Sequence, residues 1–100
     1  MRILFYDTGM AAVGEILPLI MLEHQFTVLP EETQALPDLH QFDLLITNEL
    51  ISDSPIPILF ISSTTFRLKA AQEMGLAVLR KPFNGEELRE AVNKFVREGQ

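Results

Sequence analysis

The sequence predicts a doubly wound α/β domain built on a five-stranded parallel sheet. Short apolar runs alternate along the chain with stretches of helical spacing, the pattern of parallel strands joined by helices. The stretch 42–48 has three consecutive apolar residues before Thr47 and ends in small polar groups, which is typical of a strand buried on both faces. We expect this stretch to be the central strand. It would deliver the neutral amide of Asn48 to the crevice outside the carboxyl ends of the strands.

Length and composition indicate one acidic domain. One hundred residues with 47% hydrophobic content suit a single core, so residues 1–100 form one domain. A net charge of −6 disfavours nucleic acid and anionic membranes as partners. The lack of cysteine excludes disulfides, thiolate metal sites and a cysteine nucleophile. The chain starts in strand-like sequence and has no bilayer-length apolar run, so we expect a cytoplasmic protein without a signal peptide.

The first quarter of the chain predicts two strands around a helix. Residues 3–7 form a strand followed by a tight turn, and residues 26–29 form an edge strand. Residues 10–23 between them predict a helix that Pro18 bends without breaking.

Three apolar residues of helix 10–23 fall off its core-facing side: Leu19, Met21 and Leu22. Scattered apolar residues are normal on protein surfaces. A group of this kind can also form the contact surface for a protein partner or for a second copy of the chain. Both interpretations stay open at this point.

The link between the central strand and the next strand is short. Only residues 49–55 separate it from the strand 56–61, whereas parallel strands usually need a crossover of about a dozen residues containing a helix. An extended link can still connect them, because each extended residue covers roughly 3.3 Å. We expect the helix between strands 3 and 4 to be missing or vestigial, leaving part of one sheet face thinly covered.

The last third predicts a helix, a strand and a closing helix. The first helix spans 64–74, starts at Thr64 or Thr65 and stops at Gly75. Residues 77–79 form the last strand, and Asn84 caps the closing helix. The apolar positions of the first helix are Phe66, Leu68, Ala70, Ala71 and Met74. The buried stripe of the closing helix is Leu88, Ala91, Val92, Phe95 and Val96.

Three motifs, in order, resemble the receiver domain of two-component response regulators. Residues 43–48 match the family's third strand, and residues 57–63 match its fourth strand with the switch Ser/Thr. Gly75 followed by residues 79–83 resembles the family's closing Gly…Lys-Pro-Phe motif, one residue shorter. The resemblance covers essentially the whole chain. It implies a flavodoxin-like sheet of strand order 2-1-3-4-5 and a signalling role.

The departures from the family's pattern fall on its phosphorylation site. The phosphoacceptor aspartate of the family falls on Asn48, and a neutral amide cannot act as the nucleophile in phosphoryl transfer. The resemblance also implies two acidic residues for magnesium at the end of the first strand, where this chain has Asp7 and Thr8. One carboxylate beside an amide should bind magnesium poorly. The family's switch aromatic falls on Val78.

Further remnants of the receiver site are Ser62, Lys81 and Pro82. In the family, the residues matching Ser62 and Lys81 contact the phosphoryl group. Here we expect Lys81 to bond Asn48 or pair with Asp7, and Ser62 to cap the next helix or bond nearby backbone. The Lys81-Pro82 bond resembles the family's cis peptide, a constraint on the fold. We expect no catalytic residue, no metal and no cofactor.

The hypothesis that follows is a degenerate receiver, or pseudo-receiver: a non-enzymatic module for protein–protein interaction in signalling. Its candidate surfaces are the outer side of helix 10–23, the sheet face beside loop 49–55 and, by family analogy, helix 64–74 with the last strand and helix. One alternative is an atypical switch that binds an anion or takes phosphate on Ser62 or Thr47. Another is a flavodoxin-like binder of a small ligand that uses Thr8-Gly9.

Overall fold

The computed structural model describes residues 1–6, 24–29, 37–51, 53–81 and 83–98. The predicted helix 10–23 lies outside the described residues. The elements in chain order are β1 (Arg2–Tyr6), β2 (Gln25–Val28), a 3₁₀ turn (Leu39–Gln41), β3 (Leu44–Thr47), β4 (Ile58–Ser62), α1 (Thr65–Glu73), β5 (Ala77–Arg80) and α2 (Gly85–Glu98).

The strands of the described part form one parallel sheet of order β2-β1-β3-β4-β5. The predicted fold class and strand order are therefore confirmed. From β1 the chain adds β2 on one side of the sheet, and it then returns to add β3 on the other side of β1. The strand order therefore reverses between β1 and β3. Ligand crevices of open α/β sheets form at such a switch point, outside the carboxyl ends of the strands.

Every residue of β3 and β4 is buried, as expected for strands covered on both faces. One sheet face packs on Leu88 and Val92 of α2. That face consists of Ile3, Phe5, Leu44, Ile46, Leu59 and Ile61. On the opposite face, Phe60 packs on α1. Each fully buried side chain of this size contributes roughly 1.5–3 kcal/mol, so the sheet and its two helices hold most of the described core.

The start of β3 is fixed to the start of β1 by Asp43. The backbone N–H of Arg2 donates to Asp43 Oδ2 at 2.8 Å, and the Asp43 N–H donates to the Arg2 carbonyl at 2.7 Å. The Arg2 Nε lies 3.9 Å from the same carboxylate oxygen, with both side chains about half exposed. An exposed ion pair adds little stability, so the two hydrogen bonds are the contacts that join the starts of the two strands.

The link after β3 has no helix in its described residues, as predicted. Ile51 and Ile56 of the link are half-buried and pack on the buried residues Leu45 and Ile58. Ser54 stabilises the turn, because its hydroxyl donates to the Ile56 carbonyl at 2.6 Å and lies 3.1 Å from the Ile56 backbone nitrogen. Two isoleucines on an extended link therefore cover part of the face that a crossover helix would cover.

Helix α1 buries fewer of its apolar residues than its sequence predicts. Leu68 and Ala71 are buried against Phe60. Phe66 is 80% exposed and Met74 40% exposed, so these two of the predicted apolar positions are not buried. The cause is the rotation of the helix about its axis, which points Leu68 and Ala71 at the sheet. Gly75 ends the helix with φ of +84°, in the left-handed region that favours glycine.

Helix α2 begins with a reciprocal cap. The Glu87 N–H donates to Asn84 Oδ1 at 2.8 Å, and the Asn84 N–H donates to Glu87 Oε1 at 3.3 Å. This arrangement satisfies backbone donors that the first turn cannot pair internally. Glu86 and Glu87 also place negative charge at the positive end of the helix dipole. The predicted cap at Asn84 is confirmed.

We expect Gly75→Ala to lower the free energy of unfolding by about 1 kcal/mol, because alanine is strained at positive φ. A Cβ atom there would meet nothing within 4 Å, so the loss would come from the backbone alone. Gly75→Asn should lose less, since asparagine tolerates this conformation better. Urea unfolding of the three proteins measures the differences, and equal stability of the alanine variant and the wild type would contradict the prediction.

We expect Ile51→Ala to lower the free energy of unfolding by about 1–2 kcal/mol, because it uncovers the sheet face under the link. The matched control is Leu50→Ala, one residue earlier, where the side chain is among the exposed large apolar residues. That control should change stability by less than about 0.5 kcal/mol. Similar losses for the two variants in urea unfolding would show that the link does not cover the sheet selectively.

Candidate functional site

The candidate site lies where β3 ends, beside the end of β1. Tyr6 of β1 pairs with Thr47 of β3. Thr47 is fully buried, and its Oγ1 accepts the Glu49 backbone N–H at 3.1 Å, which turns the chain directly after the strand. Asn48 follows as a half-buried residue with its side-chain Oδ1 buried. The predicted strand 42–48 is therefore shorter than expected, and Asn48 lies in the turn beyond it.

The end of β4 brings Ser62 and Lys81 together through the backbone. The Lys81 N–H donates to the Ser62 carbonyl at 2.9 Å. Ser62 is buried, and its Oγ accepts the Thr64 N–H at 3.1 Å in the turn that leads into α1. This is a local backbone bond of the kind predicted for Ser62. Thr64 occupies the capping position of α1, but its side chain makes no capping hydrogen bond.

Arg67 makes two contacts at the site that the sequence did not reveal. Its Nη2 donates to the backbone carbonyl of Asn48. Its guanidinium carbon lies 5.6 Å from the centre of the buried Phe60 ring, within the range of a cation–π interaction. One side chain of α1 therefore contacts the turn after β3 and the middle of β4. The only sequence signal for it was a basic residue in the first turn of a helix that follows a strand.

A second contact ties α1 to the end of β5. Arg80 Nη1 donates to Thr65 Oγ1 at 3.0 Å, with both residues exposed. Arg80 pairs with Ser62 in the sheet, so its side chain reaches α1 from the neighbouring strand. The first turn of α1 is thus connected to the carboxyl ends of β3 and β5.

Several predicted site residues lie outside the described residues: Asp7, Thr8, Pro82, Leu19, Met21 and Leu22. The contact of the Lys81 side chain with Asn48 or Asp7 therefore stays a prediction. Val78, which the resemblance matches to the family's aromatic position, is half-buried and packs on the cluster formed by Phe60, Leu68 and Ala71. An aliphatic side chain fills that place in the core.

The described residues at the site supply hydrogen-bonding groups and positive charge. The hydroxyls of Thr47 and Ser62 are buried and accept backbone N–H groups. No group of three histidine, aspartate or glutamate side chains within the described ranges could hold a metal ion. Away from these strand ends, Asp38 precedes the 3₁₀ turn and has a lowered pKa. The backbone N–H and then the side chain of His40 bond this carboxylate and lower its pKa.

No protein-family model and no curated protein matches this chain. Solved structures do. A receiver protein from Pseudoalteromonas atlantica is similar over 100% of both chains, with 14% identity and a TM-score of 0.72. A response regulator from Desulfuromonas acetoxidans is 20% identical over 96% of both chains, with a TM-score of 0.70. The chemotaxis protein CheY4 from Vibrio cholerae is 15% identical, with 94% of this chain and 97% of that chain covered and a TM-score of 0.69.

Each of these similarities covers almost the entire length of both compared chains, so it applies to the whole domain. At identities of 14–20% they show the fold and do not by themselves establish a function. Together with the strand order, they establish that this chain has the fold of response regulator receiver domains.

We expect Arg67→Met to lower the free energy of unfolding by about 1 kcal/mol, because it removes a charged hydrogen bond and a cation–π contact. The backbone amide resonances that follow Asn48 should move in the ¹⁵N spectrum of the variant. Lys69→Met, at an exposed position of the same helix, is the matched control and should be neutral. If the two variants lose the same stability in urea, Arg67 does not fasten α1 to the turn.

Proposed function

We propose that this protein is a pseudo-receiver: a signalling module that binds other proteins and is not phosphorylated. The observation that carries the proposal is Asn48, an amide in the turn after β3, at the position that matches the family's phosphoacceptor aspartate. The receiver fold supplies the signalling context. The loss of the nucleophile indicates that this chain does not accept a phosphoryl group.

Chemistry supports this reading of Asn48. Transfer of a phosphoryl group to a receiver requires a carboxylate oxygen that attacks phosphorus, and an amide oxygen is too weak a nucleophile for that step. The hydroxyls of Thr47 and Ser62 are poor substitutes, because both are buried and hydrogen-bonded to the backbone. An atypical switch that takes phosphate on either hydroxyl is therefore disfavoured.

Arg67 supports a module with one fixed conformation. A receiver that switches must change the contacts between its phosphorylation site and its surface. In this chain Arg67 donates to the backbone carbonyl of Asn48 and lies over the Phe60 ring. This connection between α1 and the end of β3 needs no phosphoryl group. Binding of a partner would then be constitutive, governed by the abundance of the two proteins.

The partner in this proposal is a protein of a signalling pathway or a second copy of the chain. The protein would act in the cytoplasm and would have no enzymatic activity. The chain's net charge of −6 supports a protein partner over nucleic acid. Neither helix in the described ranges is long and apolar enough to cross a membrane.

We expect the wild-type protein to gain no mass when it is incubated with acetyl phosphate and Mg²⁺, because position 48 offers no carboxylate. Intact-protein mass spectrometry measures the result. The matched variant, Asn48→Asp combined with Thr8→Asp, restores the carboxylates that the family uses at these positions. This variant should acquire the mass of one phosphoryl group.

A receiver that retains its acceptor aspartate serves as the positive control for the phosphodonor. Uptake of a phosphoryl group by the wild-type protein at any residue would contradict the proposed function. Peptide mapping of the modified protein would then identify the acceptor and separate a serine or threonine ester from an acyl phosphate.

A further inference from the structure

Asn84 differs from the other asparagines of the chain because glycine follows it. Asn48 precedes a glutamate and Asn93 precedes a lysine. Gly85 has no Cβ atom, so its backbone nitrogen can approach the preceding side chain without steric hindrance. Asn84 is also exposed, so water and base can reach its amide. An amide carbon and an unhindered backbone nitrogen are therefore adjacent at this one asparagine.

The start of α2 leaves the backbone nitrogen of this glycine outside the hydrogen-bond ladder of the helix. Gly85 is the first residue of α2, and the first four N–H groups of an α-helix have no partner within it. The Gly85 nitrogen can therefore lose its proton without breaking a hydrogen bond of the helix. The same nitrogen in the middle of a helix would have to break such a bond first.

The reciprocal cap of α2 restrains the Asn84 side chain. Its Oδ1 accepts the Glu87 N–H at 2.8 Å, and Glu87 Oε1 accepts the Asn84 N–H at 3.3 Å. Formation of a bond between Asn84 Cγ and the Gly85 nitrogen moves the amide, so the cap must open first. Both residues of the cap are exposed, and a hydrogen bond that competes with water adds only modest net stability. The cap therefore slows this reaction without preventing it.

We propose that Asn84 is a site of spontaneous deamidation whose rate is controlled by the contact with Glu87. The Gly85 nitrogen gives its proton to base and bonds to Asn84 Cγ. The Cγ–Nδ2 bond then breaks, and Nδ2 takes up protons from solvent and leaves as ammonia. Water opens the resulting cyclic imide at one of its two carbonyls, which yields aspartate or isoaspartate. The reaction consumes water and releases ammonia, and it does not depend on the proposed function.

The two products affect the cap differently. Aspartate retains an oxygen that can accept the Glu87 N–H, and it is as good a capping residue as asparagine. Isoaspartate adds a methylene group to the main chain directly before α2, so the capping geometry is lost. Asn84 lies in the connection from β5 to α2. Both products therefore add a negative charge at the carboxyl end of β5, on the crevice side of the sheet.

The test is incubation of the folded full chain at neutral and at mildly alkaline pH, followed by peptide mapping with mass spectrometry. We expect the peptide that contains Asn84 to gain the mass difference between an amide and a carboxylate. The gain should be faster at the higher pH, because base removes the Gly85 proton. Asn48 and Asn93 are internal controls and should keep their amides over the same period. Aged protein that contains isoaspartate should unfold at a lower urea concentration than fresh protein.

Four variants separate ring closure from the effect of the cap, once circular dichroism has established that each is folded. Gly85→Ala should slow the modification, because its Cβ hinders the approach of the nitrogen. Asn84→Ser should abolish it and keep a capping hydroxyl. Glu87→Ala should speed it roughly twofold or more, since the acceptor of the Asn84 N–H is lost. Glu87→Gln keeps a side-chain acceptor and should retain the wild-type rate.

Three results would overturn the inference. The folded wild type could keep its amide at Asn84 while the urea-unfolded chain loses it, which would show that the cap blocks the reaction. Asn48 or Asn93 could lose ammonia as fast as Asn84, which would show that Gly85 confers no selectivity. Equal rates for Glu87→Ala and Glu87→Gln would show that the cap does not control the rate. None of these results bears on phosphoryl uptake, which tests the proposed function separately.

Discussion

Burial of β3 on both faces is the constraint on which the rest of the structure depends. All four residues of Leu44–Thr47 are buried, with β1 on one side and β4 on the other. A buried strand has no water to satisfy its backbone, so every N–H and C=O must find a partner in the neighbouring strands. The ladders to β1 and β4 meet this requirement. The chain leaves the sheet where they end, at Thr47, directly before Asn48.

The crevice at that point is held by contacts that need no phosphoryl group. Thr47 and Ser62 use their hydroxyls to bind backbone N–H groups of the turns that follow them. Arg67 binds the carbonyl of Asn48 and lies over Phe60. A charged hydrogen bond that is partly shielded from water contributes more than an exposed ion pair. These contacts hold the strand ends together, which supports the proposed binding module.

The link after β3 covers part of the sheet, whereas α1 leaves one of its large apolar side chains exposed. Ile51 and Ile56 of the helix-free link pack on one sheet face and reduce the apolar area that water would meet. Helix α1, in contrast, keeps Phe66 on its outer side beside Lys69.

The sequence by itself determined the parallel sheet, the lack of a helix in the described residues of the link after β3, the stop at Gly75 and the cap at Asn84. Those features depend on local patterns, because apolar runs, the length of a link and the residues at helix ends can each be read from a short stretch of sequence. Only the tertiary structure decided that Phe66 faces outward and that Arg67 contacts Asn48. Both depend on how α1 is rotated against Phe60, and that rotation is the outcome of packing between residues far apart in the chain.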